Sequence, residues 1–405
     1  MSITPWDNYS DQPHLIKDKK FKAEINKKSL PYLLKTLLIN LALSPLILLS
    51  FLTTIFRKKY NSFDEIFSMG ISLENDTGKT KKLLKELNVK NILIRFPLNK
   101  MDDINRYKEF IEDFSEYNIL INLIQDRTFI EDKKLFKESL TKVFSTFTTI
   151  KEYQIGTTIN RKKWGFFTTD EYLEFFQTAC AVRDKKFKNI SLIGSSVIDF
   201  EYHFSVRSLF NLYKLFYDKF SILLYVDRRG SPFNTQGGFD LYKKIKLLIS
   251  ILKLSPKTDN QIYITETNWP ITNTAPYAPT SEKECVSLSD YADFMVAYYL
   301  ISIASGDIKR VYWHQLIATG YGLVDSRNEI LKYPAFEAFS FMSKTLTNTK
   351  IIHFDIKSNI KEFIFENSSH NIVVQYCEDG LEKGVLDIFG NSFTKGRISY
   401  SIKEK

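Results

Sequence analysis

Glu266 ends a run whose composition is otherwise that of a buried strand: Ile262, Tyr263, Ile264 and Thr265 precede it, and Trp269 and Pro270 close the stretch. A lone carboxylate at the tip of an apolar strand is either a reacting group at the edge of a core or a solvated terminus that caps the next helix. Two further carboxylates, Asp199 and Glu201, follow another strand-like run, 190–198. Either donates a proton at neutral pH only where an apolar wall raises its pKa; beside arginines, both are rim ion pairs instead. Basic residues recur after runs of the same kind: Arg95, Arg127, Arg161 with Lys163, and Arg228 with Arg229. Guanidinium forks match phosphate and carboxylate geometry, and they serve equally in structural ion pairs. Trp164 and Trp269 complete the set, as surfaces for a sugar ring or as packing anchors.

The bulk composition narrows the chemistry. Three cysteines (Cys180, Cys285, Cys377) and five histidines are scattered without metal or disulfide spacing, so neither a metal nor a cofactor is expected. The net charge of +9 suggests anionic partners, but 56 basic and 47 acidic residues are interleaved and form no nucleic-acid stripe.

The residues need a scaffold, and a strand-then-helix rhythm supplies one from residue 61 to 346. Strands are expected at Ile66–Leu73, Asn91–Phe96, Ile119–Ile124, Tyr153–Gly156, Ile190–Ile198, Ser221–Val226, Ile262–Thr265 and Arg310–Leu316. Amphipathic stretches separate them, among them Thr80–Leu87, Asp132–Phe147, Val206–Phe216 and Ser289–Ala304. Eight alternations in one direction predict an α/β fold, a (β/α)8 TIM barrel, whose chemistry sits at the C-terminal ends of the strands. An open doubly wound sheet would want a glycine-rich turn after its first strand, and Met69-Gly70-Ile71 offers none. Nor is Gly78-Lys79-Thr80 a phosphate loop, because Leu73 stands where the first glycine belongs. Alternation along the eighth strand turns Trp313 to the cavity and His314 into the core. Past residue 346, short alternating runs, including Val385–Ile388, predict a C-terminal antiparallel β domain over 347–405.

With these residues in order, the chain resembles the clan A glycoside hydrolases, retaining (β/α)8 glycosidases, from about Ser62 to its end. Thr265-Glu266 with Trp269 is similar to the clan's nucleophile motif. Arg95 matches the arginine that holds the nucleophile, Tyr225 the tyrosine that orients it, and Trp313 the tryptophan that floors the sugar subsite. Gly322-Leu323-Val324-Asp325 looks like the exit loop. One position departs from the pattern: Thr157 and Thr158 stand where the clan has an asparagine and its acid/base glutamate. A threonine hydroxyl cannot protonate a departing alkoxide, and retaining hydrolysis needs two carboxyls about 5–5.5 Å apart. Asp199 or Glu201 is the candidate replacement. Ile159-Asn160-Arg161 and Tyr225–Gly230 also resemble pieces of a poorly characterised branch of bacterial envelope-associated barrel proteins.

Ahead of the barrel, residues 1–30 are polar and basic, and 31–60 contain a charge-free run, Thr36–Phe56. As a straight helix that run would be roughly 30 Å long, enough to enter or cross a bilayer. Arg57-Lys58-Lys59 follows in place of a cleavage site, so it is not an ordinary signal peptide. Ser44-Pro45 falls at its middle and predicts a bend. That pattern resembles the re-entrant helix of monotopic phosphoglycosyl transferases; a kinked helix against the barrel is the alternative. Membrane lipids are therefore expected partners of residues 36–56, at the cytoplasmic face of a bacterial inner membrane.

The leading functional expectation is a glycoside hydrolase-like enzyme acting on an anionic or phosphorylated envelope sugar or glycolipid. Glu266 would be its nucleophile, with Arg95, Arg127, Thr158, Arg161, Lys163, Trp164, Tyr225, Arg228, Trp269 and Trp313 binding substrate. The alternatives are a glycan-binding or scaffold protein that has lost the acid, and a membrane-recruited transferase partner with no site of its own.

Overall fold

The computed structural model describes residues 5–7, 9–60, 62–226, 230–381 and 397–405. In chain order it begins with a two-stranded hairpin, β1 (Trp6–Asp7) and β2 (Gln12–Pro13), and a long helix, α1 (Lys19–Ile55). Eight strands alternate with helices after that: β3 (Phe67–Ile71), α2 (Thr80–Glu86), β4 (Asn91–Pro97), α3 (Ile104–Asp113), β5 (Asn118–Ile124), α4 (Arg127–Glu131) and α5 (Lys133–Thr146), then β6 (Glu152–Ile155), α6 (Thr169–Lys186), β7 (Ser191–Ile198), α7 (Tyr202–Leu209), β8 (Lys219–Leu223) and α8 (Leu241–Leu252), and finally β9 (Ile262–Thr267), α9 (Leu288–Ser305) and β10 (Ile308–Trp313). β11 (Val324–Asp325) and β12 (Leu331–Lys332) form a small ribbon before α10 (Pro334–Leu346). The chain ends in β13 (Lys350–Asp355), β14 (Ile360–Glu366), β15 (His370–Cys377) and β16 (Ile398–Glu404).

Strands β3 to β10 pair in parallel and in sequence, and β10 returns to β3 to close the barrel. The TIM barrel and the C-terminal antiparallel sheet expected from the sequence are both present; the expected strand Val385–Ile388 lies outside the described residues. The fifth helix is the main departure. It starts at Tyr202, directly after β7, and ends at Leu209, earlier than the periodicity of 206–216 suggested.

Strand residues facing outward pack under the helices, while Leu93, Leu120, Ile193, Tyr263 and Tyr312 fill the barrel itself. At the N-terminal floor Arg310 bridges two carboxylates, Glu65 at 2.7 Å and Glu152 at 2.6 Å, and Tyr263 also donates to Glu152. α9 is apolar nearly all round because it is enclosed. Trp269 and Trp313 press on its inner side, and the C-terminal sheet reaches its outer side through an ion pair of Arg397 with Asp290.

The front of the chain is one continuous helix. α1 starts at Lys19, capped by the Asp18 side chain, and runs unbroken through Pro31 and Pro45. Proline at 45 leaves the Leu41 carbonyl without its helical donor. The Ser44 hydroxyl donates to that carbonyl at 2.9 Å, which lets the helix continue. Along one side, Ile39, Leu43 and Ile47 pack on the barrel core. Polar bonds fix the same side: Lys35 to Asp170, Asn40 to the His203 carbonyl and Ser50 to the Ser250 carbonyl. Elsewhere Leu34, Leu37, Leu38, Leu41, Leu48, Leu49 and Leu52 are exposed.

The floor network gives a stability prediction. Arg310 is nearly buried and is the cation shared by the two carboxylates; Arg310→Met leaves Glu65 with Lys309 at 2.9 Å and Glu152 with Lys219 at 3.1 Å, but unties one from the other. The variant should lose about 2 kcal/mol of unfolding free energy, read as a lower urea midpoint with unchanged slope.

Candidate active site

The C-terminal ends of the barrel strands meet in a cavity of about 160 Å³ lined by Glu266, Arg95, Thr158, Tyr225, Lys163 and His314, among others. Glu266 is the penultimate residue of β9. Thr265 and Thr267, on either side, are buried, whereas Glu266 is only partly so; the pairing of β9 with β10 shifts register between Ile264 and Thr267, and this irregularity lets Glu266 line the cavity although Tyr263, three residues earlier, fills the barrel. Its Oε1 accepts a hydrogen bond of 2.6 Å from the Tyr225 hydroxyl, two residues past the end of β8. A short bond from a phenol to a carboxylate fixes the orientation of both groups.

Arg95 projects from β4 and is almost fully enclosed, with 7% exposure. Burial works against its charge, but Asp11 and Glu266 outweigh it and hold the guanidinium above its ordinary pKa. Nη1 donates to the Asp11 carboxylate at 2.7 Å, while Nε and Nη2 are buried without a hydrogen-bond partner among the described residues. The cation also lies over the Trp164 ring, 5.5 Å from its centre. His314 Nε2 sits 3.5 Å from Arg95 Nη1. Burial holds the imidazole below its ordinary pKa against the pull of Glu266, with Arg95 adding to the burial effect, so at neutral pH it is uncharged.

β6 delivers Thr158 through a sharp turn in which Gly156 and Thr158 both have left-handed φ, +80° and +49°. Gln125 holds that loop, accepting from the Thr157 N–H at 2.9 Å and donating to the Thr157 and Trp164 carbonyls. Thr158 therefore faces the cavity with a hydroxyl and no carboxylate.

Several expected residues sit elsewhere. Asp199 and Glu201 do not line the cavity; Arg161, which does, binds both, at 2.6 and 2.7 Å, and Asn160 adds a bond to Glu201. Burial would raise the Glu201 pKa, but the hydrogen bonds from Arg161 and Asn160 outweigh it and hold the carboxyl below its ordinary value. That is the opposite of what a neutral-pH acid requires. Arg127 is committed to Glu131 and Glu171, each at 2.8 Å, and borders a separate groove of about 1240 Å³ between α1 and the α4–α6 edge. Trp269 and Trp313 are fully buried, stacked on one another at 5.7 Å on the helix side of the barrel. The Trp313 indole donates to Tyr291 of α9. The alternation along β10 is thus the reverse of the expected one: Trp313 turns outward and His314 lines the cavity. Arg228 lies outside the described residues.

Other lining residues carried weaker sequence signals or none. Asn268 follows Glu266 by two and shares its face; its side-chain amide donates to the His314 carbonyl at 2.6 Å. Tyr321, from the loop after β10, stacks on His314. Ser10, Asp11 and Gln12 arrive from the β1–β2 hairpin, about 80 residues before Arg95, and no local pattern connected them to the barrel.

Set against known proteins, no family model and no curated protein sequence matches the chain. Solved structures do. A family 39 glycoside hydrolase from Bacteroides cellulosilyticus superposes with a TM-score of 0.57 at 12% identity, covering 80% of this chain and 73% of that one. A GH30 endoxylanase from Clostridium papyrosolvens gives 0.57 at 10% identity, with coverage of 86% and 95%. A GH51 arabinofuranosidase from Xanthomonas axonopodis pv. citri gives 0.55 at 12% identity, with coverage of 80% and 83%. These neighbours are clan A glycoside hydrolases, and at such identities the likeness establishes a shared barrel fold.

The Arg161 cluster yields a pH prediction. Because the folded-state pKa of Glu201 is depressed, its contribution is present above the unfolded carboxylate range, about 4.3, and is lost as pH falls through the folded value. The pair is about one-third exposed on each side, which limits its worth. Arg161→Met should cost about 1 kcal/mol at pH 7 and markedly less at pH 3, measured by urea unfolding at both.

Proposed function

We propose that the chain is a glycoside hydrolase-like enzyme in which Glu266 is the nucleophile on a sugar held at the mouth of the barrel. The observation that carries this reading is the Glu266 carboxylate at the end of β9, inside a cavity and oriented by Tyr225 at 2.6 Å. A carboxylate so placed attacks an anomeric carbon from one face of the ring and needs the leaving group to depart from the other.

Departure is the unusual half. Thr158 offers no proton, and Arg161 engages both Asp199 and Glu201. Protonation of a leaving alkoxide is typically worth about 10²–10⁴ in rate. A phosphate or pyrophosphate leaves as a stable anion and needs positive charge instead. Arg95 and Lys163 line the cavity and supply that charge, which favours a glycosyl phosphate, a nucleotide sugar or a phosphorylated lipid-linked sugar of the cell envelope as substrate. Hydrolysis and transfer to a second sugar share the same first step. α1 is long and apolar enough to enter a bilayer, and its exposed leucines, between basic residues at both ends, support lipid contact through residues 36–56. With one side docked on the barrel, it would lie in the membrane interface. The cytoplasmic face of a bacterial inner membrane is part of this proposal.

A second reading, a glycan-binding or scaffold protein that has kept the barrel and lost catalysis, is favoured by the same missing acid. Turnover separates the two. Wild type should cleave glycosyl fluorides or dinitrophenyl glycosides, whose leaving groups need no protonation, from a panel that includes xylosides and arabinofuranosides. Glu266→Gln should reduce that rate by about 10³-fold or more. Equal inactivity of both proteins across the panel and on glycosyl phosphates would favour the binding protein. For the helix, Leu38→Glu with Leu49→Glu should abolish co-flotation with anionic vesicles while leaving the melting temperature largely unchanged.

A further inference from the structure

The β1–β2 hairpin enters the cavity much as a ligand does. Asp11 takes a left-handed backbone, φ +49°, and presents both its carboxylate and its carbonyl oxygen to Nη1 of Arg95, at 2.7 and 3.2 Å. Gln12 accepts from Lys163 at 2.7 Å and donates to the Pro279 carbonyl at 3.2 Å. Trp6 meets Trp164 edge to face at 5.6 Å, and Tyr9 meets Tyr277 at 5.3 Å. Inside the hairpin, only two residue pairs face each other across the ladder, Trp6 with Pro13 and Asp7 with Gln12. So short a ribbon is marginal by itself. Its place is set by what it touches in the cavity.

We propose that Asp11 is an internal stand-in for an anionic group of the substrate: the Arg95 seat receives a phosphate or carboxylate, and the hairpin withdraws when that group enters. This rests on the anionic-substrate reading above, though not on any chemistry at Glu266. Two observations support it. Asp11 uses one guanidinium nitrogen, whereas Nε and Nη2 of the same buried side chain lack partners among the described residues. A phosphate or a bidentate carboxylate can meet more of that fork than Asp11 does. The hairpin is also tethered close by, since α1 begins at Lys19, six residues after Pro13. The tether keeps Asp11 at high local concentration, so it excludes weak anions and yields to a substrate that binds the rest of the cavity as well.

The test uses the full-length protein with inorganic phosphate and acetate as probes, titrated at constant ionic strength. Each probe that fits the seat should speed amide exchange in the β1–β2 hairpin without changing α1. Asp11→Asn should bind that probe about tenfold more tightly by calorimetry, a difference of about 1.4 kcal/mol. A response to phosphate alone assigns the seat to phosphate, and one to acetate alone assigns it to a carboxylate. Unchanged affinity in Asp11→Asn, or a hairpin whose exchange responds to neither anion, overturns the proposal and makes the hairpin a fixed wall. Neither readout involves turnover, so an anion response in a protein that cleaves nothing would support the seat while counting against Glu266 as a nucleophile.

Discussion

A guanidinium almost out of solvent at the mouth of a barrel must be met by negative charge, and much of this molecule is arranged around that demand. Arg95 cannot shed its proton, so its surroundings adapt to it. Glu266 and Asp11 supply the counter-charge from opposite ends of the sequence, one on a barrel strand and the other on the N-terminal hairpin. His314 stays neutral beside the cation chiefly because burial disfavours its charged form, with Arg95 adding to that effect against the pull of Glu266. Trp164 and Trp6 lie over it as π faces, which tolerate a cation that they cannot neutralise.

The N-terminal region is also fastened to the barrel by contacts of its own. α1 is held along the barrel flank by polar bonds at Lys35, Asn40 and Ser50, spaced over much of its length. Its docked side is narrow, a stripe through Ile39, Leu43 and Ile47, and the leucines outside that stripe are exposed. A helix that satisfies its barrel contacts while exposing so much apolar surface is suited to lie between a protein and a lipid phase, and less suited to detach and cross it. The hairpin reaches the cavity from the start of that helix. The exposed apolar helix and the hairpin at the site thus share one covalent segment, about 50 residues long.

The barrel was legible in the sequence because each strand is a short apolar run and each helix has its own periodicity, and neither signal depends on distant residues. Glu266 was legible for a related reason: a charge that ends such a run is conspicuous. Three things were not. Strand parity at Trp313 and His314 depends on which residue begins the rim, and one residue of slippage exchanges core for cavity. That Arg161 lines the cavity while engaged by Asp199 and Glu201, about 40 residues away, follows only from the fold, which brings them within 2.7 Å. The part of Asp11 was invisible, because no local pattern marks a residue whose partner lies 84 positions later. Pro45 is a strong local signal of another kind: the helix runs on through it, and the Ser44 hydroxyl takes up the carbonyl that the proline leaves without a donor.

Taken together, the protonation states around the cavity favour a reaction that moves no proton at the leaving group. The neighbouring Glu201 is held ionised by Arg161 and Asn160, and the buried His314 is held neutral, so neither stands ready as an acid near pH 7. Thr158 has the position, and a hydroxyl lacks the acidity. What the cavity does offer is fixed positive charge at Arg95, with Lys163 beside it. An environment of that kind stabilises an anion as it forms and gives an alkoxide little help. For the enzymatic reading this reverses the usual division of labour between two carboxyls. One carboxylate remains to attack, and the second role passes from an acid to a cation, which suits a leaving group already charged at neutral pH. The in-cis carboxylate of Asp11 follows from the same logic, because a seat built to receive an anion is unstable empty and is filled by the nearest one the chain can reach.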